Sequence, residues 1–339
     1  MRSSPVPPDV VVVGAGAWGT ALACVLADAG RPVALWGRDA SQCEEMRQTR
    51  ENRRYLPGIR LPDSLTVIDH LQQVPATCAL GVLATPCQTT REMVSRLQVS
   101  VPQLTGVVCT AKGLELGSER LVHQVVAEVY GKDVAVAILS GPTFAREVAE
   151  GKPAAVTIAA TDDPFSRALV ARFHTARFRP YLTDDLLGVA LGGSVKNVLA
   201  IAAGIADGLG LGANSRAALI TRGLAELARL GVAMGARKET FMGLSGLGDL
   251  VLTCTDDQSR NRRFGLALGR GAPVAAAQQE VGLVEGVATA RALESMASRL
   301  QVDTPIAQAV AGIVRGEVTP AATVAALMSR EPATETDSA

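Results

Sequence analysis

Lys196 and Asn197 stand side by side in GGSVKNVLAIAAGIADG, residues 192–208, a stretch otherwise apolar enough to be buried in a helical domain. A buried ammonium is costly unless it is partnered. At about 100° per residue on a helix, Gly192, Lys196, Ala200, Ala203 and Asp207 share one stripe, so the lysine points along a lane of small residues. Either that lane is a solvated face, or it opens onto a pocket that uses the charge. In a pocket, desolvation lowers a lysine pKa and makes the group an acid or base.

Other residues with chemical potential fall in short, separated motifs. GAGAWG follows the first apolar run and opens a helical pattern, with Gly14, Gly16 and Gly19 in G-x-G-x-x-G spacing. In that context the first glycine makes a tight turn, the second lets the backbone approach a pyrophosphate, and the third lets the helix pack closely. The second apolar run ends VALWGRD. An NAD-preferring site commonly carries a carboxylate there for the ribose hydroxyls. Here Gly37 is followed by Arg38, which suits a 2′-phosphate and favours or at least accepts NADPH, while Asp39 keeps NADH open.

Lys112 in AKGLE and the loop SGPTFA, residues 140–145, each follow an apolar run. They are expected at the carboxyl ends of strands, where open α/β sheets bind ligands. Farther along, GLSGLGDLVLTCTDDQSRNRRFG supplies Asp249, then Thr253 one helical turn later, then Ser259, Arg260, Asn261, Arg262 and Arg263. An arginine between Ser and Asn offers a phosphate monoester a bidentate cation with neutral donors beside it. As a charge run alone, the same segment reads as a solvated face. His70, His123 and His174 lie in no such motif, which leaves lysine as the proton carrier.

The elements that must position these groups follow from periodicity. DVVVV, PVALW, LTVID, CALGVLA, GVVCTA, VAVAILS, AAVTIAA and FRPYLT alternate with helical stretches up to about residue 185. Near-continuous apolar strands in this alternation predict a doubly wound, Rossmann-type parallel sheet covered on both faces. Strand signals stop after Leu186, and an all-helical second domain is expected. The expected limits are 1–185 for the dinucleotide-binding domain, 186–330 for the helical substrate domain and 331–339 for a solvated tail.

Lys plus Arg equals Asp plus Glu at 33 each, so no net field draws in nucleic acid or acidic membranes. Six cysteines without metal-ligand spacing read as reduced, buried thiols, and no metal site is expected. MRSSPVPPD lacks a signal-peptide core, and the apolar run 186–212 is broken by polar residues and glycines. A cytoplasmic protein without membrane insertion is therefore expected.

Taken in order, GAGAWGTALA, LWGRD, NRRYLPG, AKGLE, SGPTFAREVA, LGGSVKNVLAIAAGIADGLGLGANSRAALITRGLAE, GLGDLVLTCTDDQSRNRRFG and VEGV resemble the NAD(P)-dependent glycerol-3-phosphate dehydrogenases of the bacterial soluble type. The resemblance runs from about residue 9 to 330. It implies reduction of dihydroxyacetone phosphate to sn-glycerol 3-phosphate with NADH or NADPH, feeding phospholipid synthesis, and a homodimer, which the apolar helices of the second domain also suggest. It implies cofactor contacts at Ala17, Trp18, Arg38, Ala145, Arg260, Leu283 and Glu285, and places Lys112 near both ligands. Gly141, Thr143, Asp249, Ser259, Arg260 and Asn261 then belong to the substrate site, Lys196 is the catalytic lysine, and Asn197 and Thr253 support it. Ala17 stands where the family often has serine and Leu283 where it often has valine. Two alternatives stay open: another lysine-dependent β-hydroxyacid-type dehydrogenase, and a dinucleotide sensor without turnover.

Overall fold

The computed structural model describes residues 7–131 and 134–331. The expected tail lies outside the described residues except for Glu331, as does most of MRSSPVPPD. Contacts divide the chain into two compact units. The first comprises Met1–Ala111, Val122–Leu139 and Thr143–Leu186, and the second Lys112–Leu121, Ser140–Pro142 and Leu187–Ala339. A single cut near 185 therefore misses two short excursions, which carry Lys112 and Gly141 into the second unit.

The alternating region runs β1 (Val10–Val13), α1 (Ala17–Asp28), β2 (Val33–Trp36), α2 (Ala40–Thr49), β3 (Leu65–Ile68), β4 (Leu80–Leu83), α3 (Thr90–Ser100) and β5 (Gly106–Cys109). It continues through α4 (Val122–Tyr130), β6 (Ala135–Ser140), α5 (Ala145–Ala149), β7 (Ala154–Ala160), α6 (Asp163–Phe173) and β8 (Phe178–Thr183). All eight apolar runs are strands of one sheet, in the order β3-β2-β1-β4-β5-β6-β7-β8. The pairs β1–β2, β1–β4, β2–β3, β4–β5, β5–β6 and β7–β8 are parallel. The four valines of β1 are inaccessible to solvent, as a central strand covered on both faces must be. Because β1 lies between β2 and β4, the strand order reverses at its carboxyl end, the crevice where doubly wound sheets bind ligands.

Described elements after residue 185 are all helical: α7 (Leu186–Gly208), α8 (Gly212–Ala233), α9 (Lys238–Phe241), α10 (Asp249–Thr255), α11 (Arg260–Gly269), α12 (Val274–Val281), α13 (Glu285–Leu300), α14 (Pro305–Arg315) and α15 (Pro320–Met328). By length and composition α7 could cross a membrane, but 89% of its most apolar window is buried inside the protein. It is the core helix of its unit. Gly204 and Gly208 on α7 meet Gly265 and Gly269 on α11 so closely that a Cβ on Gly204 would stand 2.1 Å from the Arg262 carbonyl oxygen, and one on Gly265 2.0 Å from that of Ile201. Two glycines four residues apart on each helix remove the side chains that would hold the backbones apart.

The second unit also buries Glu226, whose carboxylate accepts from the backbone N–H groups of Ile306 (2.8 Å) and Ala307 (3.2 Å) at the start of α14. Burial nevertheless dominates and pushes its pKa from the ordinary 4.5 up to about 7, against the two hydrogen bonds and nearby Arg229. Between these values the folded chain holds a proton that the unfolded chain has released, so stability falls as pH rises through the window. Relative to Glu226→Gln, the parent should lose about 3 kcal/mol between pH 4.5 and 7.5, at roughly 1.4 kcal/mol per pKa unit. Urea unfolding of both proteins across that range measures the difference, and a flat difference contradicts a buried, titrating Glu226.

Candidate active site

The glycine loop is shaped by backbone contact at the crevice. Gly14 has φ +120°, and a Cβ there would lie 2.8 Å from the Ala84 carbonyl oxygen at the end of β4. A Cβ on Gly19 would stand 1.9 Å from the Gly14 oxygen, whereas one on Gly16 would meet nothing within 4 Å. The two outer glycines thus fix the turn, and the middle one faces open space. Gly16 caps α1 with no side-chain acceptor, so the N–H groups of Ala17 and Trp18 and the helix dipole are available to an anion.

The indole Nε1 of Trp18 and the hydroxyl of Thr85 are buried without partners. A cradle that a Cβ would fill, with unsatisfied donors beside it, fits a dinucleotide. Ala145, the first residue of α5, packs with Ala17 and Trp18 against the same apolar core.

Behind the loop, Asn52 Nδ2 and Gln42 Nε2 each donate to the Ala15 carbonyl at 3.0 Å, and Asn52 also donates to Thr20 Oγ1 at 2.8 Å. These two amides and Thr85 were not among the expected site residues. Thr85 obeys the same strand-end rule as Lys112. Asn52 belongs to NRRYLPG, but nothing in that motif reveals that it reaches back to residue 15.

At the end of β2 the carboxylate position is structurally closed. A Cβ on Gly37 would meet Cys43 Sγ at 2.5 Å and Ala15 Cβ at 3.1 Å. Asp39 spends one carboxylate oxygen capping α2 through the N–H groups of Ser41 and Gln42, and its other oxygen faces Arg54 at 3.3 Å. Arg38 is exposed.

In the second unit the lane of small residues is not a solvated face. Lys196, Ala200 and Ala203 are buried, and a Cβ on Gly192 would sit 2.6 Å from the Ser245 carbonyl oxygen. At Gly192 the lane admits the backbone of Ser245. A single π-helical turn, Leu244–Gly248, leads directly into α10 and sets Asp249 at its first position. Lys196 Nζ bonds Asp249 Oδ1 and donates to Thr253 Oγ1 at 2.8 Å. Thr253 in turn donates to the Asp249 carbonyl at 2.6 Å, so its hydroxyl is committed as an acceptor toward the lysine.

Lys112 Nζ donates to the other carboxylate oxygen, Oδ2, at 2.5 Å and to the Gly141 carbonyl at 3.3 Å. Two amino groups therefore share one carboxylate, and when both are protonated the cluster carries one uncompensated positive charge. Burial pulls the Lys196 pKa from 10.5 down to about 7, with Asp249 opposing and Lys112 reinforcing the shift. By contrast, burial holds His123 at about 4 and therefore neutral. His70 begins a short turn and His174 ends α6. No histidine competes for the role of proton carrier on these grounds.

Ser259 caps α11 by accepting from the Arg262 N–H at 3.2 Å, Arg260 is the exposed first residue of that helix, and Asn261 turns inward. Arg262 is buried, bonding Asp207 at 2.6 Å, Asp257 and the Cys254 carbonyl at 3.1 Å. It is a structural cation and not part of a phosphate site, whereas Arg263 is exposed. Leu283 is half exposed, and Glu285 begins α13. Thr143 is half-buried in the loop between β6 and α5. The buried hydroxyl of Ser140, which faces Gly193 beside the Lys112 stem, has no partner and was also missed in the sequence, although it is the first residue of SGPTFA.

Comparison with known proteins agrees with this geometry. Residues 9–166 match the family model described as NAD-dependent glycerol-3-phosphate dehydrogenase N-terminus, and residues 185–325 match its C-terminus counterpart. A glycerol-3-phosphate dehydrogenase of the NAD(P)+ type from Dechloromonas aromatica is 51% identical over 328 residues, covering 96% of this chain and 99% of that protein. One from Stenotrophomonas maltophilia is 49% identical over 323 residues, covering 95% of each. The crystal structure of glycerol-3-phosphate dehydrogenase from Coxiella burnetii superposes with a TM-score of 0.91 at 43% identity, over 96% of this chain and 99% of that one. With both halves matched and about half of the residues shared with relatives of nearly equal length, the chain belongs to the NAD-dependent glycerol-3-phosphate dehydrogenase family.

Proposed function

We infer that this chain interconverts dihydroxyacetone phosphate and sn-glycerol 3-phosphate with NADH or NADPH, and we propose that Lys196 moves the proton. The observation that carries the proton assignment is the ion cluster of buried Lys196 and Asp249 with half-buried Lys112. When bound, the reduced nicotinamide supplies the hydride that the ketone carbon accepts. Lys196 has three N–H bonds, and Asp249 and Thr253 take two. The third is available to the ketone oxygen and passes its proton there as the alcohol forms.

Burial weakens the hold of Lys196 on that proton, Asp249 opposes the loss, and Lys112 adds to it. The surplus positive charge favours the developing oxyanion and the substrate phosphate. Arg260 is free to form a bidentate pair with that phosphate. In the first unit, the N–H groups at the head of α1 would hold the pyrophosphate, and Arg38 the 2′-phosphate of NADPH.

The family assignment weighs against the other lysine-dependent dehydrogenases, and retention of a tuned proton donor weighs against a sensor. The same reading includes supply of glycerol 3-phosphate to phospholipid synthesis, a cytoplasmic location and a homodimer. The exposed apolar side chains Leu211, Val232 and Met242 of the second unit favour the last.

Lys196→Met should keep the fold and cofactor affinity while lowering kcat by about a hundredfold or more, since positioned acid–base groups contribute about 10² to 10⁴. In the parent, kcat/KM for ketone reduction should fall as pH rises through about 7, where the ammonium deprotonates, and Lys196→Met should lack that limb. Oxidation of NADPH on adding dihydroxyacetone phosphate, followed from pH 5.5 to 9, reads both. Near-normal turnover in the folded variant removes Lys196 from the mechanism.

Arg38→Ala should raise KM for NADPH about tenfold or more, the worth of a charge-assisted hydrogen bond, and leave KM for NADH nearly unchanged. Steady-state comparison of both cofactors tests this, and equal losses show that Arg38 does not read the 2′-phosphate.

A further inference from the structure

Motif matching put Asn197 and Asn261 among the substrate residues, but in the second unit their amides are bonded to each other. The Gly286 N–H donates to Asn261 Oδ1 at 2.9 Å, Asn261 Nδ2 donates to Asn197 Oδ1 at 3.0 Å, and Asn197 Nδ2 donates to the Lys112 carbonyl at 3.1 Å. The ends of this chain fix its direction, because a backbone N–H only donates and a carbonyl only accepts. Each amide therefore has one workable orientation, and neither is interchangeable with a carboxylate.

Gly286 is the second residue of α13. A Cβ there would stand 2.7 Å from the Asn197 carbonyl oxygen, 2.7 Å from Ile201 Cδ1 and 2.8 Å from Asn261 Oδ1. Two of these neighbours are helix backbone and a relay atom, so any side chain at 286 drives α13 off the relay. The glycine is what brings the N–H within reach of Asn261.

We propose that Gly286, Asn261 and Asn197 form a directional amide relay of positioning residues, which ties segment 283–286 to the main chain of Lys112 and so holds the Lys112 ammonium on Asp249. The relay rests on the function proposed above, in which Lys196 gives up the proton, and on the cofactor contacts that the family resemblance implies at Leu283 and Glu285. It links the two: a shift of the 283–286 segment is transmitted through side-chain amides to the lysine pair.

Asp249 of α10 and the Lys112 ammonium act electrostatically on Lys196, while burial pushes the neighbouring Cys254 thiol up to about 12, so it stays neutral. When the relay is cut, Lys112 is free to leave Asp249. The carboxylate then serves Lys196 alone, and Lys196 holds its proton more tightly.

The experiment compares Gly286→Ala, Asn197→Leu and their combination in the full-length enzyme, with Val287→Ala as the neighbouring control. Ketone reduction by NADPH is measured from pH 5.5 to 9. Both relay variants should lose kcat/KM by about tenfold, as for one or two net hydrogen bonds, and should move the midpoint of the pH profile upward by about half a unit or more. Because both cut one relay, their losses should not multiply in the double variant. Val287→Ala should keep the parental midpoint.

An unmoved midpoint in both relay variants, or losses that multiply, overturns the relay. If Gly286→Ala does not fold, Asn261→Ser, too short to bridge both partners, replaces it and must shift the midpoint in the same direction. Failure of the underlying reading looks different, because then Lys196→Met retains the parental pH profile whatever the relay variants do.

Discussion

One buried carboxylate organises the second unit. Asp249 is fully enclosed and is bonded by Lys196 on one oxygen and Lys112 on the other. Burying ionised groups is favourable only if each is held by a partner, so the position of Asp249 dictates much of the surrounding structure. The chain reaches it through a π-helical turn, a geometry often found at functional positions. The excursion 112–121 leaves the alternating region to deliver the second lysine. The surplus positive charge is costly away from water, and an anion bound beside it would offset that cost.

The glycines that bring α7 and α11 together serve the same end. Their close approach sets Asn261 beside Asn197, while the Arg262–Asp207 pair fixes the helices farther along. The first unit solves its own problem by equally short contacts: Gly14 against Ala84, Gly19 against Gly14, and Gly37 against Cys43. In both units, backbone atoms occupy space that side chains would ordinarily fill, because the groups to be presented are themselves backbone N–H donors or short amides.

Fold class was legible because it depends on periodicity. All eight apolar runs form strands, and among the described residues only helices follow residue 185. The glycine fingerprint was legible because its chemistry is local, with spacing and the preceding strand enough to define the turn. Lys196 stood out for a related reason: an ammonium in an apolar helix needs an explanation wherever the helix packs. What its lane of small residues serves was not legible, however. A stripe of small residues looks the same in sequence whether it borders a pocket or receives another backbone, and only the structure shows that Gly192 receives the backbone of Ser245.

By itself the sequence determined the alternation of elements, the glycine turn after β1, the absence of a carboxylate at Gly37 and the presence of one improbable lysine. Each follows from residue type and near-neighbour spacing. Only the tertiary structure decided that Asp249 serves two lysines, that Arg262 is spent on Asp207 while Arg260 stays free, and that Asn52 reaches back to Ala15. It also decided that Gly286 closes an amide chain ending 174 residues earlier at Lys112. Partners so distant along the chain are joined by packing alone. The energy of an ion pair or amide bond depends on a few tenths of an ångström that no local pattern encodes.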